Sequence, residues 1–309
     1  MAAKKRKNPY IPGIAAMNFE PDYDWSKEES ETLFEDKKQS EFSSDTIYYE
    51  DCLSGMISLP NDYIDLIIAD PPFGIDFSSV KSLYNRNSEF VPNGYEEVSS
   101  TNYLEFTIKW IQELPRIMKN TASAYIFSGW SHLKEILEAI HQSELTLINH
   151  IIWKYQFGVF TKRKFVTSHY HVLFCVKNSN FYFFNKIEHY PEDVWIIPRK
   201  YYPGQPKNNT KLPEELVSRC IHFSSKPGDL VFDPFMGNGT TAVCAKANYR
   251  HYLGFEINPN LKEIIEKNLN ETELGRDYVP YKKLLPSIED LAEKYPAVSK
   301  HLRKKTKNI

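Results

Sequence analysis

Glycine is sparse in this 309-residue chain, at 12 residues, which excludes collagen-like repeats and glycine-rich linker architectures. Cysteine is sparser still. Cys52, Cys175, Cys220 and Cys244 lie far apart with no CxxC pair, so neither a disulfide framework nor a zinc site is expected. No apolar run approaches the ~18–20 residues that a bilayer-spanning helix needs. The start, Met1-Ala-Ala-Lys-Lys-Arg-Lys7, is basic but has no apolar segment behind it, unlike a secretory signal. Net charge is nearly absent too: 38 Lys and Arg stand against 40 Asp and Glu, a formal −2. These absences predict a reduced, cytoplasmic protein with no metal and no membrane partner.

What is present suits a folded globule. Hydrophobic residues make up 41% of the chain and charged residues 25%, enough for one large α/β domain or two small ones. The near-neutral total hides an asymmetry. Residues 18–51 hold 12 acids and 3 bases, whereas residues 151–220 hold 11 bases and 5 acids. A positive stretch of that size can follow a polyanion, although a solvated face balancing the acidic segment accounts for it more simply.

Residues 1–45 lack sustained periodicity and are expected to form an N-terminal arm. The β-branched and aromatic 46–50 reads as a strand, and 52–59 as a short helical turn. Residues 63–69 are almost continuously apolar, as in a strand buried on both faces of a parallel sheet. Asp70-Pro-Pro-Phe-Gly74 stops that strand, because prolines cannot continue it. The polar stretch 75–100 reads as a long mobile loop. Residues 103–118 predict a helix with Leu104, Ile108, Ile111 and Leu114 on one face. Further strands are expected at 122–127, 145–154, 169–176, 230–232 and 252–255, and helices at 132–141, from Pro213, and at 241–247. This alternation predicts an α/β fold with a doubly wound, mainly parallel sheet.

Asp233-Pro-Phe-Met-Gly-Asn-Gly-Thr-Thr241 follows one expected strand and opens a helix, the order of a nucleotide-type cofactor site. Gly237 and Gly239 permit close backbone approach, and the helix start supplies free N–H groups. Glu256 ends another strand 23 residues on, close to the ~20-residue spacing at which an acid meets ribose hydroxyls. By itself the glycine pair is equally well explained as an ordinary turn. There is no third glycine of a dinucleotide fingerprint and no GxxxxGK[ST] loop, and Asp233 would repel phosphate. A cationic or amino-bearing nucleoside fits better.

Asp70-Pro-Pro-Phe73 would project from the same sheet edge. It suits attack by an exocyclic aryl amine, whose lone pair is delocalised into its ring. A carboxylate and the Pro71 carbonyl accepting the two amine hydrogens would restore density on nitrogen. Prolines fix that carbonyl's direction, and Phe73 offers a stacking face. A strand terminator beside a core phenylalanine is the plainer reading of the tetrapeptide taken alone.

The two motifs together resemble the amino-group DNA methyltransferases that use S-adenosylmethionine, in the permuted order of the β class. Their catalytic tetrapeptide is (D/N/S)PP(Y/F/W), and their cofactor loop is similar to residues 233–241. The resemblance runs over about residues 47–268. It implies a class I methyltransferase, Rossmann-like fold, with catalytic Asp70, Pro71, Pro72 and Phe73. It implies cofactor contacts from Asp233, Pro234, Phe235, Gly237, Asn238, Gly239, Thr240 and Thr241. Asp51, with Cys52 beside it, is similar to the acid at the cofactor's adenine. Glu256 and Asn258 lie in the ribose-binding segment, and Lys211, Leu212 and Pro213 in the helix start at the methionine end. The family's His-Pro pair before that helix is replaced by Asn208-Asn209.

The resemblance further implies residues 46–280 as catalytic domain, with a short target-recognition insert at 178–207 and a C-terminal helical extension at 281–309. It implies double-stranded DNA as partner and a flipped target base, with room for a cognate restriction endonuclease and a homodimer. The loop 75–100 and the basic stretch 151–220 are the expected DNA contacts. Displacement chemistry suits either amine, but in the family an Asp at the first tetrapeptide position usually accompanies adenine methylation, so the resemblance implies adenine N6 over cytosine N4. An RNA or protein-amide methyltransferase shares the same chemistry and is the alternative. A dehydrogenase would need the fuller glycine fingerprint, and a non-catalytic DNA-binding protein would not need both motifs intact.

Overall fold

The computed structural model describes residues 16–17, 19–36, 44–72, 102–156, 158, 161–199 and 211–300. Phe73, the loop expected at 75–100 and the end of the 178–207 insert lie outside the described residues. The chain forms two compact units, one of Lys27–Phe184 and Asp193–Tyr278, the other of Met1–Ser26, Asn185–Glu192 and Val279–Ile309.

The larger unit is built on an eight-stranded sheet in the order β1-β8-β7-β2-β3-β5-β4-β6. Its strands are β1 (Thr46–Tyr48), β2 (Ile64–Ala69), β3 (Met118–Ser128), β4 (Thr146–Lys154), β5 (His169–Val176), β6 (Val194–Ile196), β7 (Leu230–Asp233) and β8 (His251–Phe255). Only β5 runs antiparallel to its two neighbours; every other pairing is parallel. Among the described residues the α-helices of this unit are α1 (Lys27–Asp36), α2 (Cys52–Ile57), α3 (Tyr103–Ile117), α4 (Leu133–His141), α5 (Glu214–Ser224), α6 (Thr240–Ala247) and α7 (Lys262–Asn270).

The apolar run of β2 explains why the sheet is covered on both sides. Ile67 and Ala69 join one core with residues of α2, α3 and α4. Leu66 and Ile68 join the other with residues of α5 and α6. A strand buried on both faces needs no polar alternation. All four cysteines are buried thiols without a disulfide. No described helix is long and apolar enough to cross a membrane.

Three elements differ from the sequence reading. α1 lies inside the expected arm, where KEESETLFED carries almost no apolar periodicity. Its anchor is tertiary: Phe34 is buried and stacks on His251 with ring centroids 4.0 Å apart. In α3 the buried residues are Tyr103, Thr107, Trp110, Ile111, Leu114, Pro115 and Ile117, while Leu104 is exposed. Trp110 has the largest apolar area and takes the core side, which turns Leu104 outward. β6 is three residues long with only Trp195 buried, too short for a periodic signal.

The smaller unit is held by backbone capture. Asp24 accepts hydrogen bonds from the N–H groups of Tyr281 (2.6 Å) and Lys282 (3.4 Å). Asn185 closes a two-way bond with Tyr23, accepting at 3.0 Å and donating at 3.2 Å. It also contains α8 (Ile288–Lys294), started by a capping box between Ser287 and Asp290.

Candidate active site

Four parallel strands deliver acids to one edge of the sheet. β7 ends at Asp233, Asp70 follows β2, Glu256 follows β8, and Asp51 follows β1. β2 and β7 are hydrogen-bonded neighbours with Leu66 opposite Val231, so Asp70 and Asp233 leave adjacent strand ends. Ligands of open α/β sheets bind at this carboxyl edge.

Asp70 is the least satisfied acid of the group. Its Oδ1 is sealed from solvent and has no hydrogen-bond partner among the described residues. Burial pushes its carboxyl from the ordinary 3.8 up to about 7; the charge of Asp233 adds to the rise and that of Arg199 opposes it. Pro71 is buried beside it. A carboxylate held near neutrality suits proton acceptance at physiological pH.

The glycine loop is tied together by carboxylates. Asp233 accepts from the Phe235 N–H at 2.9 Å through Oδ1, and from the Thr241 hydroxyl at 2.6 Å through Oδ2. Burial raises its carboxyl to about 7 despite those two donors, and the charge of Glu256 adds to the rise. Glu256 accepts from the Gly237 N–H at 2.7 Å and from the Asn258 N–H at 2.8 Å. Burial still leaves it above the usual carboxylate range. The Met236 N–H donates to the Phe255 carbonyl at 2.8 Å, clamping the loop to β8.

Gly239 caps α6 with φ +80°, a left-handed conformation that favours glycine. Gly237 has φ +53°, and a Cβ there would meet only the Phe235 carbonyl at 3.8 Å. The backbone is thus open to a close ligand. Asn258 presents a second sealed polar atom, its Nδ2, without a partner among the described residues. An orphaned acceptor and an orphaned donor at the strand ends flanking a bare glycine loop fit a nucleoside-bearing cofactor.

Other sequence-derived positions have more structural duties. Asp51 caps α2, accepting from the Ser54 N–H at 3.1 Å. Cys52 is buried, and burial followed by Asp51's charge pushes its thiol up to about 12, so it is inert as a nucleophile. Phe235 packs edge-on against Trp110 with centroids 5.2 Å apart, anchoring the loop to α3. Thr240 and Thr241 are buried in the first turn of α6 and Pro234 is buried before it. Asn238 uses its carbonyl to accept from Asn268 at 3.3 Å. Lys211 is exposed and pairs with Glu214 at 3.6 Å, Leu212 is in the core, and Pro213 precedes α5. That helix start meets α6, where the Cys244 thiol donates to the Glu214 carbonyl at 3.6 Å.

Sequence spacing did not reveal Arg199, Trp153, Tyr155 and Tyr170. These residues come from three separate segments. Arg199 and Tyr170 both interact electrostatically with Asp70, and only strand pairing brings them there.

The chain is similar to known proteins over most of this unit. A family described as DNA methylase matches residues 64–267. The Type II methyltransferase M.HinfI of Haemophilus influenzae is 30% identical over 255 residues, covering 73% of this chain and 68% of that protein. The DNA adenine methyltransferase YhdJ of Escherichia coli (strain K12) is 27% identical over 278 residues, covering 80% and 86%. Among solved structures, the M1.HpyAVI–SAM complex matches with a TM-score of 0.55 and 22% identity, over 73% of this chain and 98% of that one. PvuII DNA methyltransferase, described as cytosine-N4-specific, matches with a TM-score of 0.52 and 16% identity, over 75% and 95%. At these identities the two structures speak for the fold.

Proposed function

The chain belongs to the DNA methylase family, and from that premise we propose that it transfers a methyl group from S-adenosylmethionine to the N6 amine of a flipped adenine in double-stranded DNA. The observation that carries this reading is the pair of adjacent strand ends. One bears a sealed, unpartnered Asp70 Oδ1 and the other the Asp233 glycine loop.

In this reading residues 46–280 are catalytic, with 178–207 as the target-recognition segment. Glu256 and Asn258 hold the ribose, Asp51 the adenine amine, and Lys211, Leu212 and Pro213 the methionine end, with the loop 233–241 along the cofactor. When bound, S-adenosylmethionine would supply an electrophilic methyl on a sulfonium, with a neutral thioether as the leaving group. Asp70 Oδ1 accepts a hydrogen from the amine, drawing the lone pair toward attack, and can take the proton that the methylated nitrogen sheds. The buried Pro71 fixes the backbone beside it. Positioning supplies most of the acceleration. Phe73 is the proposed stacking face.

Incubation with plasmid and labelled cofactor, then digestion to nucleosides and mass spectrometry, is expected to give N6-methyladenine. Label only in N4-methylcytosine overturns the base assignment and leaves the rest; label in neither overturns DNA amine methylation itself.

DNA contact has its own expected signature. The connection between β4 and β5 exposes Lys162, Arg163 and Lys164, with Phe165 fully exposed next to them. β5 is antiparallel to β3, with His171 opposite Ser128 at the end of β3. The connection therefore lies at the carboxyl edge that carries Asp70. Replacing all three cations by alanine should flatten the slope of log affinity against log salt by about 2.7, at ~0.9 per phosphate contact. An unchanged slope in fluorescence-anisotropy titrations removes this connection from the DNA interface.

A further inference from the structure

Arg199 sits just past β6 above three aromatic rings at once. Its guanidinium carbon is 4.9 Å from the ring centroid of Trp153, 4.5 Å from that of Tyr155 and 5.4 Å from that of Tyr170. The backbone is pinned both ways by Gln156. The Arg199 N–H donates to Gln156 Oε1 at 3.0 Å, and Gln156 Nε2 donates to the Arg199 carbonyl at 3.4 Å. Trp153 Nε1 donates to the Ile197 carbonyl at 2.8 Å, holding the approach to Arg199 against β4. The guanidinium also donates a hydrogen bond to the Tyr170 hydroxyl oxygen.

This cradle shares a face of the sheet with the strand that carries Asp70. Trp153 and Tyr155 join Leu66, Ile68 and Phe127 in one core, and Tyr170 packs against it. Asp70 follows Ile68 by two residues, so strand alternation sends it to that same face. The groups acting on Asp70 come from three sides: Asp233 from β7, Tyr170 from β5, and Arg199 from the segment after β6. Of these, Arg199 alone brings positive charge. A guanidinium stacked between aromatic faces is weakly hydrated and cannot swing away as a lysine could.

We propose that Arg199 is a positioning residue for methyl transfer: Trp153, Tyr155 and Tyr170 hold its guanidinium as the counter-charge of Asp70, and this sets the pH range in which that carboxylate accepts the amine's hydrogen. The proposal rests on the role given to Asp70 above. Without the cation, Asp70 would face Asp233 uncompensated and would stay protonated to higher pH. Protonated, it has lost the charge that polarises the amine.

The test uses Arg199→Gln, which keeps a planar hydrogen-bonding group without charge, and Arg199→Lys, which keeps the charge. Single-turnover methyl transfer is measured across pH with saturating cofactor and DNA. In Arg199→Gln the acid limb of the rate should move up by about one pH unit, so that the rate falls ~10-fold below the limb and converges with the parent at alkaline pH. Arg199→Lys keeps the charge but not the stacked plane, so its limb should lie between those of the parent and Arg199→Gln. A uniform loss at every pH, with the limb unmoved, would overturn the proposal. A second readout needs no reaction. The carboxyl-carbon NMR titration of Asp70 in the free protein, assigned by its loss in Asp70→Asn, should shift upward in Arg199→Gln. An unmoved titration overturns the proposal whether or not DNA is methylated. If the titration moves but the parent methylates no DNA, the charge coupling stands and the reaction assigned above is what fails.

Discussion

Asp70→Ala is expected to bind S-adenosylmethionine as the parent does and to transfer methyl at least ~10²-fold more slowly, the effect of losing one transition-state hydrogen-bond partner. The split between binding and chemistry follows from the geometry. Asp233 and Glu256 are bonded into the glycine loop, whereas Asp70 Oδ1 bonds to nothing among the described residues. Removing Asp70 therefore takes no acceptor away from the glycine loop. The variant should also be no less stable than the parent. Folding raises the Asp70 carboxyl from 3.8 to about 7, so the folded state binds this proton more tightly than the unfolded chain does. Asp70 then costs stability progressively as pH rises between those two values, and fully above them. Calorimetric cofactor titration, a single-turnover rate and a thermal melt at pH 8 check the three parts. Near-normal turnover would remove Asp70 from the chemistry.

Glu256→Ala should do the reverse and act on binding. Loss of a charge-assisted partner to the ribose is expected to weaken cofactor affinity by ~1.5–3 kcal/mol, roughly 10- to 150-fold. The structure adds a second consequence. The same carboxylate accepts the Gly237 and Asn258 N–H groups, so alanine leaves both donors unsatisfied in a buried loop and the melting temperature should fall as well. Glu256→Gln keeps one acceptor oxygen and should fall between the two. Calorimetry showing unaltered affinity in Glu256→Ala would take this residue out of the cofactor site.

Much of the larger unit was legible because its signals are local. The apolar run ending in Asp70-Pro-Pro needs both faces covered wherever it lies, and proline ends it in any context. Gly237 and Gly239 adopt positive φ in a strand–loop–helix order that the residues themselves impose. Those features predicted the strand ends and the acids they carry, and the pairing of motifs pointed to the chemistry. α1 was not legible, since Phe34 stacking on His251 holds a helix whose own residues show no amphipathic face. The facing of α3 depended on Trp110 finding Phe235, more than a hundred residues away.

By itself, then, the sequence determined seven of the eight strands, where the glycine loop turns and which acids stand at strand ends, because backbone sterics and apolar periodicity act within a few residues. Only the tertiary structure decided that Asp70 Oδ1 is sealed with no hydrogen-bond partner among the described residues, that Asp233 and Glu256 are occupied by the loop they anchor, and that Arg199 is held by Trp153, Tyr155 and Tyr170 within electrostatic reach of Asp70. Burial and charge coupling depend on which strands lie side by side. That neighbourhood comes from crossovers spanning much of the chain, and no local spacing encodes it.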